Sequence, residues 1–157
     1  MLDVAKFLGE ALDRTNARLL ADLVAIPESR RDESPGGAAR SPYSVAIECA
    51  VVNTRIAEAI AGRPLPPMPA FGDFAQMREH LQTYEAVAEF VTHETLVLKV
   101  AVEATPPDGW ETTVTFSPTR PPITRFEAVM LAITHMTYHD GQLNYVHLLH
   151  GDDERYW

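Results

Sequence analysis

Apolar residues recur at helical spacing over four long segments of the chain, and this periodicity limits the fold more than any other feature of the sequence. The first segment runs from Val4 to about Ala25 and stops before Pro27. The second covers 42–61, between a Ser-Pro start and a glycine at position 62. Because no strand pattern alternates with the segments, they predict an all-α fold, a four-helix bundle.

The third segment begins at Asp73, with Gln76 three residues later as in a capping box, and is predicted to continue as one long helix. Residues 96–104 are rich in β-branched side chains, which also suit a strand, but we keep them in the helix. The fourth helix is predicted to begin at a capping box of Thr124 and Glu127 and to extend to the glycine at position 151.

Two connections complete the predicted architecture, and both are candidates for lining the mouth of a pocket. The long connection between the first two helices, 27–40, is polar and rich in Gly, Pro and Ser. Before the last helix, within the excursion 104–122, residues 110–116 alternate like a strand, but the segment that follows contains several prolines. We therefore expect a short extended excursion without a hairpin; the prolines are Pro118, Pro121 and Pro122.

Length and composition favour one globular domain spanning 1–157. The formal net charge of −9, without any run of Lys or Arg, argues against nucleic acid as a partner. The sequence shows no secretory signal and no stretch apolar enough for a membrane, so we expect a cytoplasmic protein with no membrane partner. A single cysteine, Cys49, cannot form an internal disulfide and agrees with a reducing compartment.

The stretch HMTYHDGQL, residues 135–143, places two histidines four positions apart within the fourth predicted helix. This spacing puts His135 and His139 on one face, with Cβ atoms about 5–6 Å apart, close enough for both rings to bind one metal ion. Both histidines fall on the apolar stripe of the helix, so we expect them to be buried. A metal site and a pair of hydrogen-bonded core histidines are both open at this point.

A third ligand has to come from another helix, and Glu48 is the first candidate. It lies on the apolar face of the second helix, where a carboxylate costs several kcal/mol to bury unless it is paired or coordinated. The alternative is an ion pair of Glu48 with Arg or His across the bundle. Cys49 is a second candidate ligand, although a buried free cysteine usually behaves as a small hydrophobe. His93 in the third helix is within reach, but a core or surface position explains it better.

Two known metal signatures do not fit the chain. HMTYH lacks the glutamate of the HExxH metalloproteases, and the Glu-x-x-His pairs of di-iron bundles are absent from the sequence. A mononuclear site is therefore expected, with three protein ligands and open positions for water or substrate. The remaining histidines are expected to be solvated; these are His80, His147 and His150.

The segments SPYSVAIECAVVN (41–53) and ITHMTYHDGQLNYVHLLHGDDERYW (133–157) resemble the DinB-like (DinB/YfiT) superfamily. Its members are bacterial four-helix bundles that hold a divalent metal with three side chains. The resemblance follows the helix order over nearly the whole chain, and the HxxxHxGQ-like pattern is its more specific part. In many members the ligand in the second helix is a histidine, and Glu48 stands at that position here.

The resemblance implies a metal-dependent enzyme of the thiol S-transferase type, or a hydrolase, that uses a low-molecular-weight thiol such as mycothiol or bacillithiol. It implies metal ligation by Glu48, His135 and His139. Asp140 and Gln142 would orient the ligands, the cofactor or the substrate. Zinc, nickel, iron and manganese all suit such a site.

Two alternatives to a metal-dependent enzyme remain open, and we also predict the oligomeric state. The motifs supply no separate acid, base or nucleophile, which favours a non-catalytic metal-binding bundle acting as a sensor or interaction module. The polar groups could also pair only with one another, without a metal. We further expect a small-molecule substrate or thiol as partner, and a homodimer formed through an exposed helix face.

Overall fold

The computed structural model describes residues 3–70, 73–116 and 119–156 of the chain. Within these residues four long helices form a bundle, to which a shorter helix and a small sheet are attached, so the predicted all-α bundle is confirmed. No helix in these ranges combines the length and apolar character needed to cross a membrane. In chain order the elements are α1 (Val4–Ala25), α2 (Pro42–Ile60), α3 (Asp73–His80), α4 (Tyr84–Glu103), β1 (Thr113–Val114), β2 (Ile123–Thr124) and α5 (Arg125–Leu149).

Each long helix of the bundle packs against two neighbours. α2 lies against α4 and α5, and α1 lies against the same two helices, so that α1 and α2 are diagonal to each other. The apolar stripes of α2 and α5 both face the shared core, which places polar side chains on those stripes inside the bundle. Fully buried side chains from the four helices include Leu12, Ile56, Leu98 and Met136.

The helices that carry the candidate ligands begin at the predicted caps. The Oγ atom of Ser41 accepts a hydrogen bond from the Ser44 amide (3.3 Å), and Pro42 occupies the first turn of α2. At the start of α5, Thr124 accepts from the Glu127 amide (3.1 Å), and the Glu127 carboxylate accepts from the Thr124 amide (2.7 Å). These caps fix where each helix begins, and so the faces on which its later residues lie.

The single long helix predicted from residue 73 onward is divided in two. α3 ends at His80, and α4 begins after Thr83, whose Oγ1 accepts a hydrogen bond from the Ala86 amide at 3.2 Å. The apolar periodicity does not reveal this break, because apolar side chains on both sides of it still pack against the core. These side chains are Met77, Leu81 and Tyr84.

A minimal antiparallel sheet precedes α5, where we expected extended chain without pairing. β1 pairs with β2 over the two positions of each strand. The prediction was wrong because it placed the prolines in the partner strand. Pro121 and Pro122 lie in the connection before β2, where they remove no ladder hydrogen bond, and Pro118 lies outside the described residues.

The connection between α1 and α2 is held to the end of α1. Arg31 donates from Nε to the carbonyl of Ile26 at 2.7 Å, and its own carbonyl accepts from the Tyr43 amide at 2.9 Å. Gly36 and Gly37 have φ angles of 130° and 60°, which side chains with a Cβ atom rarely adopt. The chain therefore turns sharply at this glycine pair just before it enters α2.

Candidate metal centre

His135 and His139 contact each other across one turn of α5. Their Nε2 atoms are 3.2 Å apart, and their rings meet edge to face with centroids 4.4 Å apart. His139 is buried, with 2% of its surface exposed, and His135 is half-buried. The helix alone brings the two rings together, because side chains four residues apart lie on one face.

Glu48 reaches this pair from α2. Its Oε2 atom lies 3.1 Å from Nε2 of His139, and the same oxygen accepts a hydrogen bond from Nη2 of Arg40. Burial by itself raises the pKa of Glu48, but the hydrogen bonds to His139 and Arg40, together with the charge of Arg40, outweigh burial and lower this pKa to about 2. Glu48 is therefore a carboxylate at neutral pH, and the ion pair considered from the sequence is present.

Cys49 approaches the same histidines from the interior of the bundle. One ligand atom each from Cys49, His135 and His139 lies within 4.8 Å of the other two, close enough to hold one ion. Glu48 contacts His139, but it is not part of this group of three mutually close ligand atoms. Burial, reinforced by the charge of Glu48, raises the pKa of the Cys49 thiol far above its ordinary range. The thiol is therefore protonated at neutral pH, unlike the neighbouring carboxylate.

Gln142 fixes the orientation of the His139 ring. Its Oε1 lies 2.7 Å from Nδ1 of His139, and its Nε2 donates to the hydroxyl of Tyr138 at 3.0 Å. An amide oxygen only accepts, so Nδ1 of His139 donates the proton in this contact. The other nitrogen, Nε2, faces Glu48 and His135, and once it gives up the proton that it donates to Glu48 it presents a lone pair, as in metal-binding histidines whose other nitrogen is held by an oxygen.

These donors fit a divalent cation. Burial, followed by the charge of His139, lowers the pKa of His135 to about 4, so this imidazole is neutral at neutral pH. Its buried Nδ1 has no hydrogen-bond partner among the described residues. With the proton between His139 and Glu48 released, two imidazoles and a carboxylate lie close enough around Nε2 of His139 for a cation to take the place of that proton.

Asp140 does not face the histidine pair, although the resemblance implied that it orients ligands or substrate. Its carboxyl group lies against that of Asp22 on α1, which is fully buried. Burial, followed by the hydrogen bond and charge of Asp22, raises the pKa of Asp140 to about 7. Position 140 lies about 100° further round the helix than position 139, so its side chain is directed to α1 and not to α2.

The other histidines lie away from the pair. His80 and His150 are exposed as predicted, and His93 is exposed as well. His147, which we expected to be solvated, is instead buried and donates from Nε2 to the carbonyl of Asp22 at 2.8 Å. The prediction was wrong because α5 buries a second face against α1, beside the stripe that faces the core.

A cavity of about 620 Å³ adjoins the candidate metal centre. Arg40, which contacts Glu48, and Gln142, which contacts His139, both line it. The connection before α2 contributes further lining residues, in agreement with the prediction for 27–40. None of the described lining residues comes from the excursion before α5, so that part of the prediction does not hold for this cavity.

Some contacts of the predicted site residues involve residues that the sequence did not single out. Tyr138 precedes Gln142 by four residues on one helix, so its contact could have been found from the spacing alone. Arg40 and Asp22 meet their partners only through the tertiary fold, from the end of a connection and from the far side of the bundle. No local pattern in the sequence signals either contact.

Comparison with known proteins confirms the fold. No protein-family model and no curated protein matches the chain. A conserved protein from Enterococcus faecalis has a solved structure that aligns with a TM-score of 0.74 at 16% identity, over 97% of this chain and 100% of that chain. The mycothiol-dependent maleylpyruvate isomerase aligns with a TM-score of 0.65 at 13% identity, over 91% of this chain and 63% of that chain. The resemblance to DinB-like (DinB/YfiT) proteins is thereby confirmed at the level of the fold.

A further solved structure corrects an expectation about partners. ClbS, a colibactin self-resistance protein, is solved in complex with double-stranded DNA and aligns with a TM-score of 0.71 at 15% identity, over 92% of this chain and 95% of that chain. Our exclusion of nucleic acid is therefore wrong, because a protein with this fold is found on DNA. The net charge sums over the whole surface, whereas a surface that contacts phosphates is local.

Proposed function

We propose that this chain, a bundle of the DinB-like fold, binds a divalent metal ion through His135, His139 and Glu48 and uses it in thiol-dependent chemistry. One observation carries the proposal: Nε2 of His139 lies 3.2 Å from Nε2 of His135 and 3.1 Å from Oε2 of Glu48. Electron-pair donors this close in a buried place need a proton or a cation among them. Three protein ligands leave open positions at a metal, as a catalytic site requires.

Within this proposal Glu48 is a better third ligand than Cys49. A metal binds the ionised form of either side chain. Glu48, with a pKa of about 2, is ionised at neutral pH, whereas burial keeps the Cys49 thiol protonated. Glu48 also contacts Arg40, which lines the cavity, while Cys49 is fully buried. A substrate in the cavity therefore approaches the centre from the side of Glu48.

The chain's own residues would hold the centre in place for thiol chemistry. When bound, the metal would supply Lewis acidity that lowers the pKa of a thiol, so that a thiolate forms at neutral pH. Gln142 holds the ring of His139 and is itself held by Tyr138, so the metal-facing nitrogen keeps its direction. The cavity of about 620 Å³ lies within the range of small-molecule sites and offers room for a thiol and a second substrate.

The mycothiol dependence of the maleylpyruvate isomerase supports a low-molecular-weight thiol as the cofactor here. The substrate of that enzyme is not carried over, because this chain spans 63% of its length at 13% identity. We propose a reaction of the S-transferase type. The thiolate sulfur forms a bond to an electrophilic carbon, and the leaving group departs with the electrons of the bond that breaks.

Turnover with mycothiol and with bacillithiol tests this function. Metal-loaded protein is mixed with each thiol and 1-chloro-2,4-dinitrobenzene, and the thioether product is followed by absorbance against the uncatalysed rate. We expect product formation that is lost on chelation and in His139→Ala, and kept in His80→Ala, which removes an exposed histidine. Metal binding without turnover of either thiol would favour the non-catalytic bundle.

A further inference from the structure

The cavity beside the metal centre has a distinct chemical character. Apolar and aromatic side chains form most of its wall, and Arg40 is the one charged side chain among the described residues that line it. Arg40 is largely buried, with 19% of its side chain exposed, and it contacts Glu48 at the edge of the centre. The cavity therefore has an apolar body, and at one end it is lined by the Arg40 member of the Arg40–Glu48 ion pair.

The start of α2 adds positive potential at the same end. Pro42 and Val45, in the first turn of this 19-residue helix, line the cavity next to Arg40. A helix N-terminus carries a partial positive charge from its aligned peptide dipoles. The guanidinium group of Arg40 has five N–H donors in a planar fork, which suits a carboxylate, sulfonate or phosphate. Both features favour an anionic group on a ligand.

The opposite wall is an aromatic stripe on α5. Tyr138 and Tyr145 line the cavity with 63% and 62% of their surfaces exposed, and Leu149 continues the stripe one turn later. Large side chains in this arrangement present flat apolar surface to a ligand. The stripe therefore favours a ligand whose anionic group is attached to an aromatic or apolar body.

A glycine within α5 keeps this wall open. Gly141 lines the cavity in the middle of the helix, where glycine is a poor helix former. A Cβ atom added at this position would meet nothing within 4 Å, so packing does not require glycine there. Without a side chain at this position, the backbone of the helix is open to the cavity.

We propose that this cavity binds an anionic ligand with an aromatic or apolar body, and that Arg40 determines the selectivity for the anion. The inference deepens the proposed function, because it rests on that function for the identity of the cavity as the substrate site. An anionic group held at Arg40 lies beside Glu48 and His139, at the edge of the centre. Binding of the anion itself does not need the metal.

A matched pair of fluorescent probes tests this selectivity on the full, metal-free chain. The anionic probe 8-anilinonaphthalene-1-sulfonate and the neutral N-phenyl-1-naphthylamine share one aromatic body and differ in the sulfonate. We expect Arg40→Gln to weaken binding of the anionic probe by about tenfold or more, the effect of losing a charge-assisted hydrogen bond, and to change the neutral probe by less than about twofold.

Two further variants locate the effect. Arg30→Gln removes an equal charge from an exposed Arg–Glu pair outside the cavity and should leave both probes unchanged. Gly141→Leu fills the cavity with a good helix former, so it should weaken both probes while helicity by circular dichroism is kept. If Gly141→Leu leaves both probes unchanged, they bind elsewhere and the proposed site is wrong.

Two other results would overturn the role of Arg40. The first is equal weakening of both probes by Arg40→Gln. The second is full recovery of the anionic probe in the double variant Arg40→Gln/Glu48→Gln, which would mean that Arg40 only cancels the charge of Glu48. Because these measurements use chelated protein, their outcome is separate from that of metal binding and thiol turnover.

Discussion

Two largely buried carboxyl groups meet between α1 and α5, those of Asp22 and Asp140. In the folded chain the pKa of Asp140 is raised from 3.8 to about 7, first by burial and then by Asp22. Between pH 3.8 and about 7, Asp140 is protonated in the folded state and ionised in the unfolded state. The free energy of unfolding therefore falls as pH rises from 3.8 to about 7, and the loss is complete above that range.

We expect Asp140→Asn to stabilise the metal-free protein by about 1 kcal/mol at pH 8 and to have little effect at pH 4. Asparagine cannot ionise, and its amide can donate to Oδ1 of Asp22, which has no hydrogen-bond partner among the described residues. Urea unfolding at the two pH values measures the effect, with the exposed Asp153→Asn as the control. Equal stabilisation at both pH values would contradict a shared proton at this pair.

Contacts between site residues can be predicted from the sequence where one helix or one helix face determines them. His135 contacts His139 because residues four apart lie on one face of a helix. Gln142 contacts His139 because residues three apart also lie on one face. The role of Asp140 was implied by the family resemblance, and the angle between successive helical residues directs its side chain toward α1. Arg40 could not be predicted, because the path of the connection that carries it is set by the tertiary fold.

At the scale of elements, Leu96 and Leu98 distinguish a helix from a strand in the β-branched part of α4. Residues two apart share a face in a strand, whereas in a helix they differ by about 200°. Leu98 is fully buried and Leu96 is 55% exposed. The helical prediction for this segment is therefore confirmed up to Glu103, where α4 ends.

These two leucines give a matched pair of variants on one helix. We expect Leu98→Ala to lower the free energy of unfolding by about 2–5 kcal/mol, because it leaves a cavity in the core. Leu96→Ala should change it by less than about 0.5 kcal/mol, since the side chain is mostly solvated. Denaturant unfolding of both variants checks this, and similar losses from the two would contradict the placement of α4.

The sequence predicted those element boundaries that depend on local chemistry. α2 and α5 begin at their predicted caps because a side-chain oxygen bonds an amide within the same turn. The break between α3 and α4 contains neither proline nor glycine, and apolar spacing continues across it. The small sheet was missed because β1 and β2 are only two residues long, too short for an alternating pattern.

At the scale of the whole molecule, the centre depends on which helices are neighbours. The sequence placed candidate ligands on the second and last helices, but only the packing of α2 against α5 brings Glu48 to His139. The same scale explains the error about nucleic acid. A formal charge of −9 describes the sum of all faces and does not exclude a local surface that contacts phosphates.

Metal content is the measurement that tests the central claim most directly. Protein purified without an affinity tag or chelator, and then exposed to zinc, nickel, iron(II) and manganese in turn, is analysed by mass spectrometry. We predict about one metal ion per chain in wild type and in Cys49→Ser, and loss of that ion in His135→Ala and Glu48→Gln. Wild-type protein that holds none of these metals, or a Glu48→Gln variant that keeps its metal while Cys49→Ser loses it, would contradict the proposed Glu48, His135 and His139 site.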